Sequence, residues 1–161
     1  MVHIGLREWR EDDAPAVLRA FQSPDLRDQA PWPVVTPQDA VGWIASWHGA
    51  GHAFAVTADD QVVGNVAVTK IDGHGTGWVS YWVVPEARGR GIAVAATRRL
   101  ARWAFDERGL FRLELAHRTN NPASCRVATL AGFRSEGIER GKLCYGGVRY
   151  DVERHARLAT D

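Results

Sequence analysis

Residues 78–109, WVSYWVVPEARGRGIAVAATRRLARWAFDERG, constrain the fold of this chain more than any other stretch. An apolar run breaks at Pro85, and a short loop follows that carries Gly89 and Gly91. An apolar repeat at Ile92, Ala96, Leu100, Trp103 and Ala104 then runs close to the helical period and stops at Gly109. This predicts a strand, a glycine loop and a helix over residues 91–107. The backbone N–H groups of Arg88, Gly89, Arg90, Gly91, Ile92 and Ala93 would lack intrahelical acceptors. With the positive end of the helix dipole they favour a phosphate or diphosphate. An ordinary glycine turn between strand and helix is the other reading of the same residues. A Walker A loop is excluded because no Lys-Ser or Lys-Thr follows the glycines, and a dinucleotide fingerprint would need a small residue where Val94 stands.

The rest of the chain predicts elements on either side of this unit. A short strand at 3–9 leads into a helix at 11–22 that opens on three carboxylates, Glu11, Asp12 and Asp13. Residues 25–35, with Pro31-Trp32-Pro33, read as a loop or broken helix. Thr36, Pro37 and Asp39 form a helix start, predicting a second helix to about residue 48. Three strands at 53–57, 61–71 and 77–84 form a meander whose last member feeds the glycine loop. After the long helix, residues 110–117 alternate apolar and polar, so strand, helix and strand make a parallel crossover. A helix at 123–131 and two strands at 134–145 and 148–155, turning at Gly146-Gly147, complete the chain.

With 161 residues, the chain is expected to form one domain, residues 1–161. Its 20 basic and 19 acidic residues leave a formal charge of +1, which gives no electrostatic footprint for nucleic acid. Cys125 and Cys144 lack metal-ligand spacing, and the six histidines are scattered, so neither a disulfide framework nor a metal site is expected. No secretory h-region or membrane-length apolar run is evident. The expectation is a soluble, cytoplasmic, metal-independent protein.

The wider pattern resembles a known family. Arg88-x-x-Gly91-x-Ala93, following a Val-x-Pro strand end, is similar to the acetyl-CoA loop of the GNAT acetyltransferases. Asn121-Pro122-Ala123-Ser124, Leu130-Ala131-Gly132-Phe133 and Glu136-Gly137 resemble the motifs of the RimJ/RimL-like branch in order and spacing. The resemblance spans Leu6-Arg7 to Tyr150-Asp151. It implies an α/β (α+β) fold with a mixed central sheet of about seven strands, splayed middle strands and about four helices. It also implies an N-acetyltransferase that passes an acetyl group from acetyl-CoA to a primary amine, either a protein N-terminal α-amine or a small molecule, with no metal.

The same resemblance implies roles for individual residues. The donor's diphosphate would sit on the amides of Arg88, Gly89, Arg90, Gly91, Ile92 and Ala93, and its pantetheine would pair with Val83 and Val84. Asn121 would bridge a pantetheine amide, and Ser124 would protonate the departing thiolate. Many GNAT acetyltransferases carry a tyrosine for that step where this chain has Ala128. For the base, some relatives have a glutamate where Leu143 stands, leaving His117, Tyr81, Ser80 and Glu136 as candidates. By chemistry alone, Asn121 and Ser124 also suit helix capping, and His117 suits a strand-end hydrogen bond. Of the seven tryptophans, Trp9, Trp43, Trp47 and Trp103 fit core faces, while Trp32 and Trp78 or Trp82, with Tyr81, are candidates for an acceptor pocket. The C-terminal hairpin leaves strand edges through which two copies could pair as a homodimer. The alternative function is a CoA-binding regulatory or scaffold module without turnover.

Overall fold

The computed structural model describes residues 1–161. Seven strands form one sheet: β1 (Ile4–Glu8), β2 (Gly51–Ala58), β3 (Gln61–Thr69), β4 (Thr76–Val83), β5 (Arg112–Arg118), β6 (Arg134–Tyr145) and β7 (Val148–Leu158). Their spatial order is β1-β2-β3-β4-β5-β7-β6, and every neighbouring pair is antiparallel except β4 with β5. Four α-helices accompany them: α1 (Ala14–Phe21), α2 (Pro37–Ala45), α3 (Ile92–Asp106) and α4 (Pro122–Leu130). This is the mixed α/β architecture expected from the sequence.

The feature that positions the site is the single parallel pairing. β4 and β5 are joined only at Thr76 with Arg112, Gly77 with Leu113 and Trp78 with Glu114, after which the strands diverge. Gly77 suits this crowded point, since a Cβ there would lie 2.5 Å from Val68 Cγ2 of β3 and 3.5 Å from Leu113 Cδ2 of β5. Beyond Trp78, one edge of β4 has no strand partner.

Alternation along β4 assigns its two faces to two cores. Val79 and Val83 pack under α3 with Val66, Val68, Leu100, Leu113 and Leu115, and Tyr81 packs against that cluster. Trp82 points the other way into a core built by α1, α2 and the loop between them, with Val17, Phe21, Leu26 and Trp43. Its ring centroid lies 5.4 Å from Phe21 and 6.0 Å from Trp43, and Trp9 meets Trp43 edge-on at 5.1 Å. Such aromatic pairs contribute roughly 0.5–1.5 kcal/mol each beyond area burial. Trp82, which the sequence left as an acceptor-pocket candidate, is therefore mainly a core residue, 6% exposed.

Helix boundaries differ from expectation by short, explicable amounts. The Glu11–Asp13 segment is a tight 3-10 turn, because Asp13 accepts the Arg10 N–H at 2.9 Å and a forked pair of bonds from Arg7, both 2.8 Å, so α1 starts at Ala14. The reciprocal bonds of Thr36 and Asp39 start α2, which ends at Ala45 rather than near residue 48. β7 runs on to Leu158, since it pairs with β5 as far as Arg112. The last two strands turn at Gly146 and Gly147, both at positive φ.

Candidate active site

The glycine loop begins where β4 ends. A 3-10 turn, Pro85–Ala87, leads to Arg88, and Gly89 and Gly91 then adopt φ of 74° and 75°, the left-handed region that glycine enters without cost from a Cβ. Gly91 caps α3. The N–H groups of residues 89–94 have no hydrogen-bond acceptor in the protein, whereas the Arg88 N–H is already bound to the Pro85 carbonyl at 3.2 Å. The donor row therefore starts one residue later than the sequence reading placed it.

Arg88 also uses its side chain differently from a phosphate ligand. Its Nε donates to the Val83 carbonyl at 2.9 Å, and its guanidinium pairs with Asp25 from the loop between α1 and α2. Both partners hold the arginine along the loop. Arg90 is exposed.

The unpartnered edge of β4 can be read residue by residue. Val84 donates its N–H to Val63 of β3 at 2.9 Å, so that amide is committed to the sheet. In an antiparallel ladder the groups that face a given neighbour alternate, so Tyr81 and Val83 present theirs to the opposite side, toward the gap. Val83, not Val84, is thus placed to meet a ligand amide or oxyanion.

These elements enclose a cleft of about 780 Å³. Its walls are Tyr81, Trp82 and Val83 of β4, the loop residues Arg88, Gly89 and Gly91, and Ile92, Ala93 and Val94 of α3. Opposite them lie Arg118 at the end of β5, Asn121, and Ser124 and Val127 of α4. Asp25, Leu26 and Gln29 close one end. A cavity of similar size, about 860 Å³, lies between α3, α4 and β7, but it is walled by Arg98, Arg102, Arg134 and Arg157 and does not reach the glycine loop.

Asn121 caps α4, its Oδ1 accepting the Ser124 N–H at 3.1 Å, with Pro122 as the first helical residue. This engages the side-chain oxygen of Asn121 and leaves the Ser124 hydroxyl free to face the cleft. Facing it is the Tyr81 phenol, whose oxygen is buried without a hydrogen-bond partner of good geometry. Burial pushes the phenol above its ordinary value of 10, opposed by the neighbouring Ser124. Tyr81 therefore stays protonated at neutral pH, and its O–H is a donor. Ala128, where many GNAT acetyltransferases carry a tyrosine, is fully buried in the core beneath α4.

Several other candidates lie elsewhere. Trp32 is exposed and does not line the cleft. Trp78 and His117 line a different cavity of about 470 Å³, where the Lys70 ammonium and the Arg154 guanidinium sit 5.7 and 5.4 Å from the Trp78 ring. His117 turns Nδ1 to the Arg118 carbonyl and Nε2 to His155, away from the cleft. Glu136 is gripped by two Arg112 nitrogens at 2.6 and 3.0 Å, which holds its carboxyl below the usual range and makes it a poor base. Sequence reading missed Asp25, Gln29 and Arg118 as cleft residues. They sit in loops or at a strand end, and only the folded chain brings them to the site.

A model of the acetyltransferase (GNAT) domain family matches residues 3–134. The chain belongs to the GNAT family. Among its relatives in Bacillus subtilis (strain 168), the probable N-acetyltransferase YjcK is 33% identical over 106 residues, 65% of this chain and 59% of that protein. The putative ribosomal N-acetyltransferase YdaF is 32% identical over 83 residues, 52% of this chain and 45% of that protein. The chain thus spans about half the length of these two relatives. A structure of Mycobacterium smegmatis RimJ in complex with CoA-disulfide shares 26% identity and a TM-score of 0.86, covering 98% of this chain and 82% of that one. GNAT acetyltransferases use acetyl-CoA as donor, and among the structural neighbours of this GNAT chain are RimJ and RimL proteins. No helix is long and apolar enough to cross a membrane.

Proposed function

We propose that the protein is an N-acetyltransferase that moves the acetyl group of acetyl-CoA directly to a primary amine while both substrates are bound. The observation that carries this reading is the meeting, in one cleft, of the free amides of residues 89–94 with the unpaired edge of β4. A diphosphate fits the amides and the dipole of α3. An extended pantetheine, itself an amide chain, fits a strand edge, along the Tyr81 and Val83 backbone that faces the gap. Asn121 has a free amide NH₂ with which to meet a pantetheine carbonyl.

This arrangement sets the thioester near Tyr81 and Ser124. The neutral amine attacks the thioester carbon, the carbonyl electron pair moves onto oxygen, and the Val83 N–H stabilises the oxyanion. On collapse the C–S bond breaks and the sulfur takes a proton from Ser124, which regains one from solvent beside the Tyr81 phenol, while the amine nitrogen loses one to solvent. A thiol with a pKa near about 8.5 is a tolerable leaving group, so the donor assists rather than determines the step. The acceptor class we favour is the α-amine of a protein N-terminus. The ribosomal designation of YdaF supports it, with a small-molecule amine as the competing acceptor.

Thiol release from acetyl-CoA over a panel of N-terminal peptides and small amines tests this. Release that depends on an acceptor, with an acetylated product by mass spectrometry, is the expected outcome. CoA binding with no release on any acceptor would instead support a regulatory CoA-binding module, and absence of CoA binding would end both readings.

A further inference from the structure

Four side chains scattered through the sequence meet on the side of α4 that faces away from the cleft. His117 of β5 and Glu153 of β7 are cross-strand partners, His155 lies two residues beyond Glu153 and so on the same face, and Cys125 comes from α4. The two Nε2 atoms are 3.0 Å apart, each is 3.3 Å from the same Glu153 Oε2, and Cys125 Sγ is 3.6 Å from that oxygen. All four potential ligand atoms lie within 4.8 Å of one another.

The outer ring nitrogens fix the tautomers. His117 Nδ1 is 2.9 Å from the Arg118 carbonyl and His155 Nδ1 is 3.3 Å from the Phe133 carbonyl. A carbonyl oxygen only accepts, so each Nδ1 carries a hydrogen, and an imidazole that binds a metal in this orientation presents its lone pair at Nε2. Two lone pairs then face each other and a carboxylate oxygen, with the histidine side chains only 4% and 2% exposed. Electron-rich atoms at these separations repel unless a positive centre sits among them.

Four of the six separations, 3.0, 3.3, 3.3 and 3.6 Å, suit one particular centre, and a turn of the Cys125 side chain toward the histidines completes it. Zinc bonds of about 2.0–2.1 Å to nitrogen or oxygen and about 2.3 Å to sulfur give tetrahedral edges of about 3.3 Å, and about 3.5 Å to sulfur. Histidines that bind a metal through one nitrogen commonly donate the other N–H to a backbone carbonyl, which is the arrangement here. Ser135 Oγ donates to the remaining Glu153 oxygen at 2.8 Å, orienting the carboxylate in the same way. A thiolate and a carboxylate cancel the charge of a divalent ion, and the mixture of sulfur and imidazole selects against Mg²⁺ and Ca²⁺.

We propose that His117, Cys125, Glu153 and His155 form a closed tetrahedral Zn²⁺ site that fastens α4 to β5 and β7. With four protein ligands the ion has no open position, so its role is structural. Entry is available through the surface cavities that Cys125 and Glu153 line. The fastened helix is the one whose next-door residue, Ser124, forms a wall of the cleft.

Metal uptake is measured without any acyl acceptor. Protein stripped by a chelator is titrated with Zn²⁺ against a chromophoric competitor, and separately with Co²⁺. The expected result is one Zn²⁺ per chain, a raised melting temperature on zinc addition, and tetrahedral cobalt bands with a thiolate-to-cobalt charge-transfer band. Cys125→Ser should abolish the charge-transfer band, and His155→Gln should weaken Zn²⁺ binding by about 100-fold or more. If His155→Gln does not fold, Cys125→Ser, at a half-buried position, still decides the matter. A folded wild-type protein that takes up no zinc, or a cobalt complex without sulfur character, overturns the site. A single proton shared between the imidazoles then accounts for the geometry.

Discussion

Arg88 Nε lies 2.9 Å from the carbonyl oxygen of Val83, so the arginine that opens the glycine loop folds back onto the strand that precedes it. The other arm of the guanidinium pairs with Asp25, which links the loop to the segment between α1 and α2. The ion pair is too exposed to contribute much stability by itself. Its consequence is positional: it holds the turn in which the free amides are displayed.

Replacing Arg88 with Ala should therefore raise the KM for acetyl-CoA by about tenfold, with a small change in melting temperature. Arg88→Lys should recover little, because one ammonium cannot reproduce the fork that reaches both Val83 and Asp25. Steady-state kinetics with varied acetyl-CoA check both variants.

Gly91→Ala places a Cβ in a left-handed cap at φ of 75°, where nothing lies within 4 Å of the added carbon. The backbone strain, about 1–2 kcal/mol, is the whole penalty in the free protein. In the complex the methyl group also stands where a diphosphate would approach. CoA affinity measured by calorimetry should fall by about tenfold or more, while the free variant stays folded.

Tyr81→Phe separates stability from activity. It removes a buried hydroxyl whose polar neighbour, Ser124, is not in good hydrogen-bond geometry, so the melting temperature should change little. If the phenol supports protonation of the thiolate through Ser124, kcat should fall by about 10- to 100-fold with CoA affinity nearly unchanged. Ser124→Ala should slow turnover by a similar factor without abolishing it. Equal activity in both variants and wild type would remove them from the chemistry.

Asp13 gives a pH prediction. The Arg7 guanidinium, followed by the Arg10 amide, holds its carboxyl below the ordinary range despite opposing burial. A lowered folded-state pKa means stabilisation that is fully present above the unfolded value of about 3.9 and is lost as pH falls through the folded value. Asp13→Asn should be less stable than wild type at neutral pH, and the gap should close below about pH 4, as read from urea melts over a pH series.

The sequence made the crossover unit legible because one strand end, two left-handed glycines and a long apolar repeat agree on a single local structure. Gly89, Gly91, Asn121 and Ser124 were readable as a site for that reason and by family likeness. The direction of an amide was not readable, so Val84 was paired with the ligand when only Val83 faces the gap. The Arg88 N–H was likewise assigned to the diphosphate, although the Pro85 carbonyl already holds it. Most hidden of all was the grouping of His117, Cys125, Glu153 and His155, whose spacing along the chain has no motif because sheet register and the docking of α4 create it.

The early parting of β4 from β5 leaves the sheet one strand short along half of its middle. Any extended amide-bearing molecule that seats there becomes part of the secondary structure and satisfies backbone groups that the polypeptide alone leaves to water. The cosubstrate would then act as a piece of the scaffold, and amide exchange at Tyr81 and Val83 should slow on its arrival, while that of Val84, already locked to Val63, barely moves.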